Sequence, residues 1–334
     1  MSRLRAPLLD FVGLGLLVAA VGFAGTLFER SIEIYFLNAL VAVAIVVGLW
    51  TFVGVSGVLS FGHISFVAVG AFAAGVMSIP GADKPGILPD VYPFLRDHSI
   101  GNVESLLLAA AAGGVYAFLV GMPLMRLDGL AAGIATFAVL EVTHNVLRYW
   151  TKIGPGPGIL SLVPETTDAV QAVLGALVAI AAAIAYRASR LGRMLAATSD
   201  DAAAAQAVGI SVHRQRLWAF TLSGALCGFA GALLVHLLGG LTTEQVYLEL
   251  TFITLAMLVV GGVASVWGAV IGALAVSGLD SFLGQAEDGV TVLGVTLDLP
   301  TGTRLVVVGA LMALVLILRP TGIVGGRLRA RTAG

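Results

Sequence analysis

Glu141, His144 and Asn145 interrupt an apolar stretch with three groups able to exchange hydrogen bonds. On a helix the spacing i, i+3 and i+4 puts them on one face. A carboxylate, an imidazole and a carboxamide could line a path for a polar solute. They could equally satisfy one another as an interhelical cluster near a membrane interface, and the residues alone leave both readings open. A second group, Ser60, His63 and Ser65, surrounds Gly62 at the edge of a glycine- and serine-rich interruption, Gly54 to Gly62. Hydroxyls and an imidazole beside freed backbone suit a hinge or the wall of a solute path.

Other chemistries lack their residues. A phosphate-binding loop needs a lysine after glycine and before Ser or Thr. Lys84 is followed by Pro85 and Lys152 by Ile153, so there is no Walker A sequence and this chain is expected not to hydrolyse ATP. His63, His98, His144, His213 and His236 are scattered without metal-ligand spacing, and no G-x-S-x-G elbow accompanies them. No enzyme activity, metal or cofactor is expected. The single cysteine, Cys227, excludes an intrachain disulfide.

The elements that position these groups are membrane spans. The 334 residues are 58% hydrophobic and 11% charged, with a mean hydropathy of +1.01. The fold class expected is all-α, a polytopic integral membrane bundle in one domain, 1–334. Ten spans fit: 8–27, 35–53, 60–79, 104–124, 129–150, 169–187, 215–238, 246–262, 266–283 and 302–318. The first resembles a signal peptide at its start, but its apolar part runs too long, so it is read as a retained span. The last pair before the final span is joined by GGVASVWG, Gly261 to Gly268, with almost no loop. Such breaks, one in each half, point to broken or re-entrant helices, an internal repeat and the solute path. An eight-span reading remains open.

Alternating ten spans from an inside N-terminus gathers Arg3, Arg5, Arg126, Arg187, Arg190, Arg193, Arg214, Arg216, Arg319, Arg327, Arg329 and Arg331 on one side. That is twelve of the 18 basic residues, the positive-inside bias, and puts both termini in the cytoplasm. No basic patch is large enough to argue for nucleic acid. One long polar interruption lies on the arginine side, residues 187–216. Within it Ser199 is read as an N-cap, Asp200 and Asp201 as first-turn acids, and Gly209 as the C-terminal glycine of a helix over about 200–208. A solvated loop at anionic headgroups would explain the arginines. It would not explain a capped, alanine-faced helix, which suits a groove on a partner.

Four ordered stretches carry a family resemblance, spanning about residues 35–275. They are VGVSGVLSFGHISFVAVGAFAAG (Val53 to Gly75), RLDGLAAGIATFAVLEV, LAMLVVGGVASVWGAVIGA and the segment GRMLAATSDDAAAAQAVGISVHRQR with the span that follows. Together they resemble the permease subunits of branched-chain amino acid ABC importers. The resemblance implies uptake driven by two cytoplasmic ATP-binding subunits, with a second homologous permease and a periplasmic binding protein, in a bacterial inner membrane. It implies that Gly192, Arg193, Ser199, Asp200, Asp201, Ala203, Ala204 and Gly209 meet an ATP-binding subunit. Three departures bear on the cargo: Trp50 and Val58 stand where polar residues are common, and IGPGPGI, Ile153 to Ile159, replaces a Gly-Gly-x-Asn-Gly stretch. Related permeases serve urea, amides and aromatic acids, so those cargoes stay open beside branched-chain amino acids. From another class, a secondary transporter or channel would need midplane carboxylates. Glu141 is the only acid read well inside a span, and toward its outer end. A scaffold subunit without a path of its own is the remaining alternative.

Overall fold

A glycine-lined helix sits at the centre of the fold. The computed structural model describes residues 2–287, 290–292, 295–297, 300, 302–319 and 321–324. The helices before the centre are α1 (Ser2–Gly25), α2 (Arg30–Ser56), α3 (Ile64–Ser78), the short α4 (Lys84–Ile87) and α5 (Pro93–Arg96), α6 (Asn102–Leu124), α7 (Gly129–Tyr149) and α8 (Ala169–Ala188). Then come α9 (Arg190–Asp200), α10 (Ala202–Ala207), the central α11 (Val212–Leu238), α12 (Leu248–Gly261), α13 (Val266–Glu287) and α14 (Thr303–Leu318). A two-stranded antiparallel hairpin, β1 (Val290–Val292) with β2 (Val295–Leu297), precedes α14.

Apolar helices gain little from leaving lipid for one another, so their contact depends on close packing. Along α11 that packing comes from Gly224, Gly228 and Gly231. A Cβ on Gly228 would collide with the Ala109 carbonyl of α6, and one on Gly231 with the Val67 carbonyl of α3. On the α2 side Ser223 donates from its hydroxyl to the Gly48 carbonyl at 2.6 Å. Thus α6, α3 and α2 wrap α11, while α8 and α1 pack outside α2. His236 is satisfied inside this wrap by Ser105 at 2.8 Å and the Pro164 carbonyl at 2.9 Å.

Among the described residues, seven helices are long and apolar enough to cross a membrane: α1, α2, α6, α7, α8, α11 and α13. Three shorter apolar helices, α3, α12 and α14, occupy the other expected spans. At about 1.5 Å per residue a 15-residue helix such as α3 reaches about 22 Å, less than the roughly 30 Å of bilayer hydrocarbon. The polytopic helical class therefore follows the sequence reading, while by length seven of the ten expected spans make a full crossing among the described residues and three fall short of one.

Contacts between helix ends sort into two sets that do not mix. On one side Trp267 donates to Asp10 at 3.1 Å, Arg216 pairs with Asp128, and the Ile323 N–H meets the Val260 carbonyl at 2.9 Å. On the other, Ile100 N–H bonds the Met77 carbonyl at 3.0 Å, Asn102 pairs with Gln171, and Arg148 pairs with Glu244 at 2.7 Å. This is the two-sidedness of a chain that alternates across a layer. Of the residues used for the charge bias, Arg327, Arg329 and Arg331 lie outside the described residues.

Between α3 and α6, residues 79–101 form a folded cap on the second side. Lys84 is fully buried there, its ammonium donating to the Leu95 carbonyl at 2.6 Å and to the His98 carbonyl. Burial lowers its pKa, with the Asp97 carboxylate acting in the opposite direction.

Candidate functional site

The first break begins where α2 ends, at Gly57, not at Gly54. Gly57 adopts φ 70°, a left-handed turn that lets its N–H bond the Val53 carbonyl at 3.0 Å. The chain then stays irregular through His63. Here the small polar residues are turned inward. Ser60 meets His63 Nδ1 at 2.7 Å, Ser65 donates to the Gly62 carbonyl at 2.6 Å, and all three side chains are buried. His63 stacks on Phe52 with centroids 5.5 Å apart and meets Phe66 and Phe220 edge-on. Its Nε2 has no hydrogen-bond partner. Gly62 presses on α7 so closely that a Cβ would collide with the Thr136 carbonyl, and the Phe61 N–H bonds the Thr136 hydroxyl at 3.2 Å. What the break exposes is Leu59, half accessible, and Gly57.

The second break, residues 262–265, is drawn to the first. Trp50, buried near the end of α2, donates its indole N–H to the Val263 carbonyl at 2.8 Å. The Arg187 guanidinium lies 5.8 Å from the Trp50 ring centre. Sequence reasoning noted Trp50 only as a departure; its partner is 213 residues away in the chain, and no local spacing could have found it.

Within residues 187–216 the expected helix over 200–208 gives way to two helices, a correction that follows from capping. Ser189 accepts from the Gly192 N–H at 3.1 Å and starts α9. Leu191 to Thr198 propagate α9 through Ser199 to Asp200, so Ser199 lies in its last turn instead of capping the next helix. Asp201 takes the cap, its Oδ1 accepting from the N–H groups of Ala203 and Ala204 at 2.9 Å each. In α10, Ala205 is buried while Ala203 and Ala204 are exposed. Gly209 follows at φ 85°, the left-handed residue expected there. Gly192 is pressed on the Tyr186 carbonyl, and Arg193 donates to the Ala188 carbonyl. Ser199 reaches the first break: a Cβ added to Gly57 would stand 2.7 Å from its Oγ.

On the opposite side, the polar face of α7 splits. Asn145 Nδ2 donates to the Glu141 carboxylate at 2.8 Å, and Tyr247 donates to the other Glu141 oxygen. Glu141 and Asn145 are exposed, opening a shallow groove with Val142, Val146, Tyr149 and Trp150. His144 is buried instead, stacked on the same Tyr247 at 3.9 Å. Just beyond the helix end, its own backbone N–H, the Thr243 hydroxyl and Arg148 hold Glu244 below the usual carboxylate range against some desolvation. A cluster the sequence reading missed lies at the ends of α12 to α14 on the second side. Arg304 pairs with Glu249 and, at 3.4 Å, with Asp280, and its N–H bonds Glu287 at 2.6 Å. Asp280 is thus a second acid inside an apolar span. Its signal was its place three residues from a span end facing a lone arginine.

The profile of the family described as branched-chain amino acid transport system permease component matches residues 31–316. The chain belongs to that family. Its permease relatives include the high-affinity branched-chain amino acid transport system permease protein LivM of Salmonella typhimurium, 25% identical over 93% of this chain and 73% of the relative. LivM of Escherichia coli is 26% identical over 92% and 73%. LivH of Salmonella typhimurium is 24% identical over 84% of this chain and 90% of its own length. No solved structure matches. A permease component is a transport subunit, and its apolar helices make this one a multi-pass membrane protein.

In this permease, then, Ser60, Gly62, His63 and Ser65 come together at one break. Gly192, Arg193, Ser199, Asp200, Asp201, Ala203, Ala204 and Gly209 fall on one pair of helices and their flanking caps at the same end. Glu141, His144 and Asn145 lie at the other end of the molecule, and only two of the three share an exposed face.

Proposed function

We propose that this chain is a permease subunit of an ATP-driven importer for branched-chain amino acids. It would sit in a bacterial inner membrane with both termini cytoplasmic, paired with a second homologous permease. Two ATP-binding subunits would act from the cytoplasm and a binding protein from the periplasm. The observation that carries the reading is the contact of Ser199 with Gly57. It links the alanine-faced α10, through α9, to the break between α2 and α3.

A partner that seizes Ala203 and Ala204 would move α9 as a rigid helix, and Gly57 is the first residue such a movement meets. Residues 57–63 would then change which face of the break is open, an alternating-access step. Glu141 supports a path or partner along α7. It lies eight residues, about 12 Å along the helix, below the Tyr149 end. A charge at that depth is costly against lipid, so the exposed face with Asn145 calls for water or the second permease. In this reading Ser60, His63 and Ser65 shape the path from behind, and Leu59 faces it.

The test is uptake. Proteoliposomes holding this chain, a second permease and the ATP-binding subunits should take up leucine, isoleucine or valine only with ATP and binding protein. Uptake persisting without the ATP-binding subunits would overturn the importer reading. ATP-driven uptake of urea or an aromatic acid alone would overturn the cargo.

A further inference from the structure

We propose that the groove between α9 and the start of α11 binds the phosphate of an anionic phospholipid, a site separate from the cargo path. Its walls include Arg190, Leu191, Ser211, Arg214, Gln215 and Trp218. Three independent features point to an anion. Neither Arg190 nor Arg214 has an acidic partner among the described residues. The N-terminus of the 27-residue α11 opens here, and Ser211 caps it with no side-chain bond. The N–H groups of Val212, His213 and Arg214 thus have no intrahelical acceptor, and the helix dipole favours negative charge beside them. Gln215 is 95% buried and lines the groove, and its carboxamide oxygen has no hydrogen-bond partner. The O and N of a carboxamide are placed by their bonds alone, and with the amide turned over the unpartnered atom is an N–H donor that a phosphate oxygen can accept.

Lipid is favoured over free phosphate by what continues from the groove. Trp218 is 47% exposed and Leu191 40%. The Trp218 ring lies 6.3 Å from Phe118 of α6. The outward stripe of α6, Val115, Leu119 and Met122, is exposed, apolar and uncharged, as a surface against acyl chains must be. An indole between a basic groove and such a stripe matches the headgroup level of a bilayer.

The experiment uses the full-length chain in detergent and reads tryptophan quenching by brominated phosphatidylglycerol against brominated phosphatidylcholine. Trp218→Phe identifies the Trp218 part of the signal. The expected result is preferential quenching by the anionic lipid. Basic residues at an anionic surface contribute about fivefold each, so Arg190→Gln with Arg214→Gln should lower the preference roughly twenty-five-fold. Gln215→Leu should lower it less. Arg190→Gln alone, at an exposed position, serves if the double variant is not monodisperse. Arg126→Gln, on the same side but outside the groove, should leave the preference intact. The proposal is overturned if the parent shows no preference, or if the arginine variants keep it. It also fails if Arg126→Gln lowers the preference equally, or if inorganic phosphate at equal concentration competes as well as the lipid. Loss of ATP-binding subunits with an unchanged lipid preference would make the groove a protein contact instead.

Discussion

Ser199 Oγ occupies the space that a side chain on Gly57 would need: a Cβ built there would lie 2.7 Å from it. Gly57 also holds φ 70°, so two separate constraints keep the position bare. Left-handed backbone costs an L-residue about 1–2 kcal/mol, and the clash adds to that only while Ser199 is present. Gly57→Ala should therefore lower uptake, and Ser199→Gly in the same chain should restore part of it. The measurement is a double-mutant cycle on uptake at matched membrane abundance. Strictly additive effects would mean that α9 and the break do not act through this contact.

The break itself gives a prediction about accessibility. Leu59 is half exposed while Ser60 and Ser65 are buried. In a chain with Cys227 replaced by Ser, Leu59→Cys should react readily with a small polar thiol reagent. Ser60→Cys and Ser65→Cys should be protected in the resting state. Binding protein with cargo, and ATP with the ATP-binding subunits, should change the Leu59→Cys rate. Equal labelling of all three positions in every state would remove the break from the path.

What the sequence made legible was local. Apolar runs located the helices, glycine clusters located both breaks, and Gly209 ended its helix as expected. What it hid depended on distance or on competition between neighbours. Ser199 and Asp201 are both good caps, and only the full register of α9 decides that Asp201 wins. His63 and Ser60 looked like path residues because polar groups in apolar sequence usually face something polar. In the structure they bond each other, and His63 sits in an aromatic cage formed by α2, α3 and α11 with its Nε2 unpartnered. Trp50 and Val263 lie in opposite halves of the chain, so their bond has no sequence signature.

The two-sided sorting of helix ends predicts where reporters will be found. Fusions after Asp97, in the Lys84 cap, should report the periplasm. Fusions after Asp201, on the arginine side, should report the cytoplasm. A cytoplasmic signal from both would mean that the Lys84 cap and residues 187–216 do not lie on opposite sides of the membrane.

The last prediction separates α10 as a docking element from α10 as a solvated turn. Ala203 and Ala204 are exposed while Ala205 is buried against the rest of the chain, so one short helix supplies both the test and its control. If Ala203 and Ala204 enter a groove on an ATP-binding subunit, an arginine at either position must be desolvated there without a partner. A buried unpaired charge costs about 3–5 kcal/mol, enough to abolish docking. Arginine is nearly as good a helix former as alanine, so α10 itself should persist. Ala203→Arg and Ala204→Arg should reach the membrane normally yet lose co-purifying ATP-binding subunits and uptake. Ala205→Arg should instead reduce the amount of folded permease. Asp201→Ala removes the cap and about 1 kcal/mol from the helix, so it should weaken association without abolishing it. Unchanged association and uptake in both exposed alanine variants would leave α10 a solvated turn, and the contact of Ser199 with Gly57 would then have no partner to respond to.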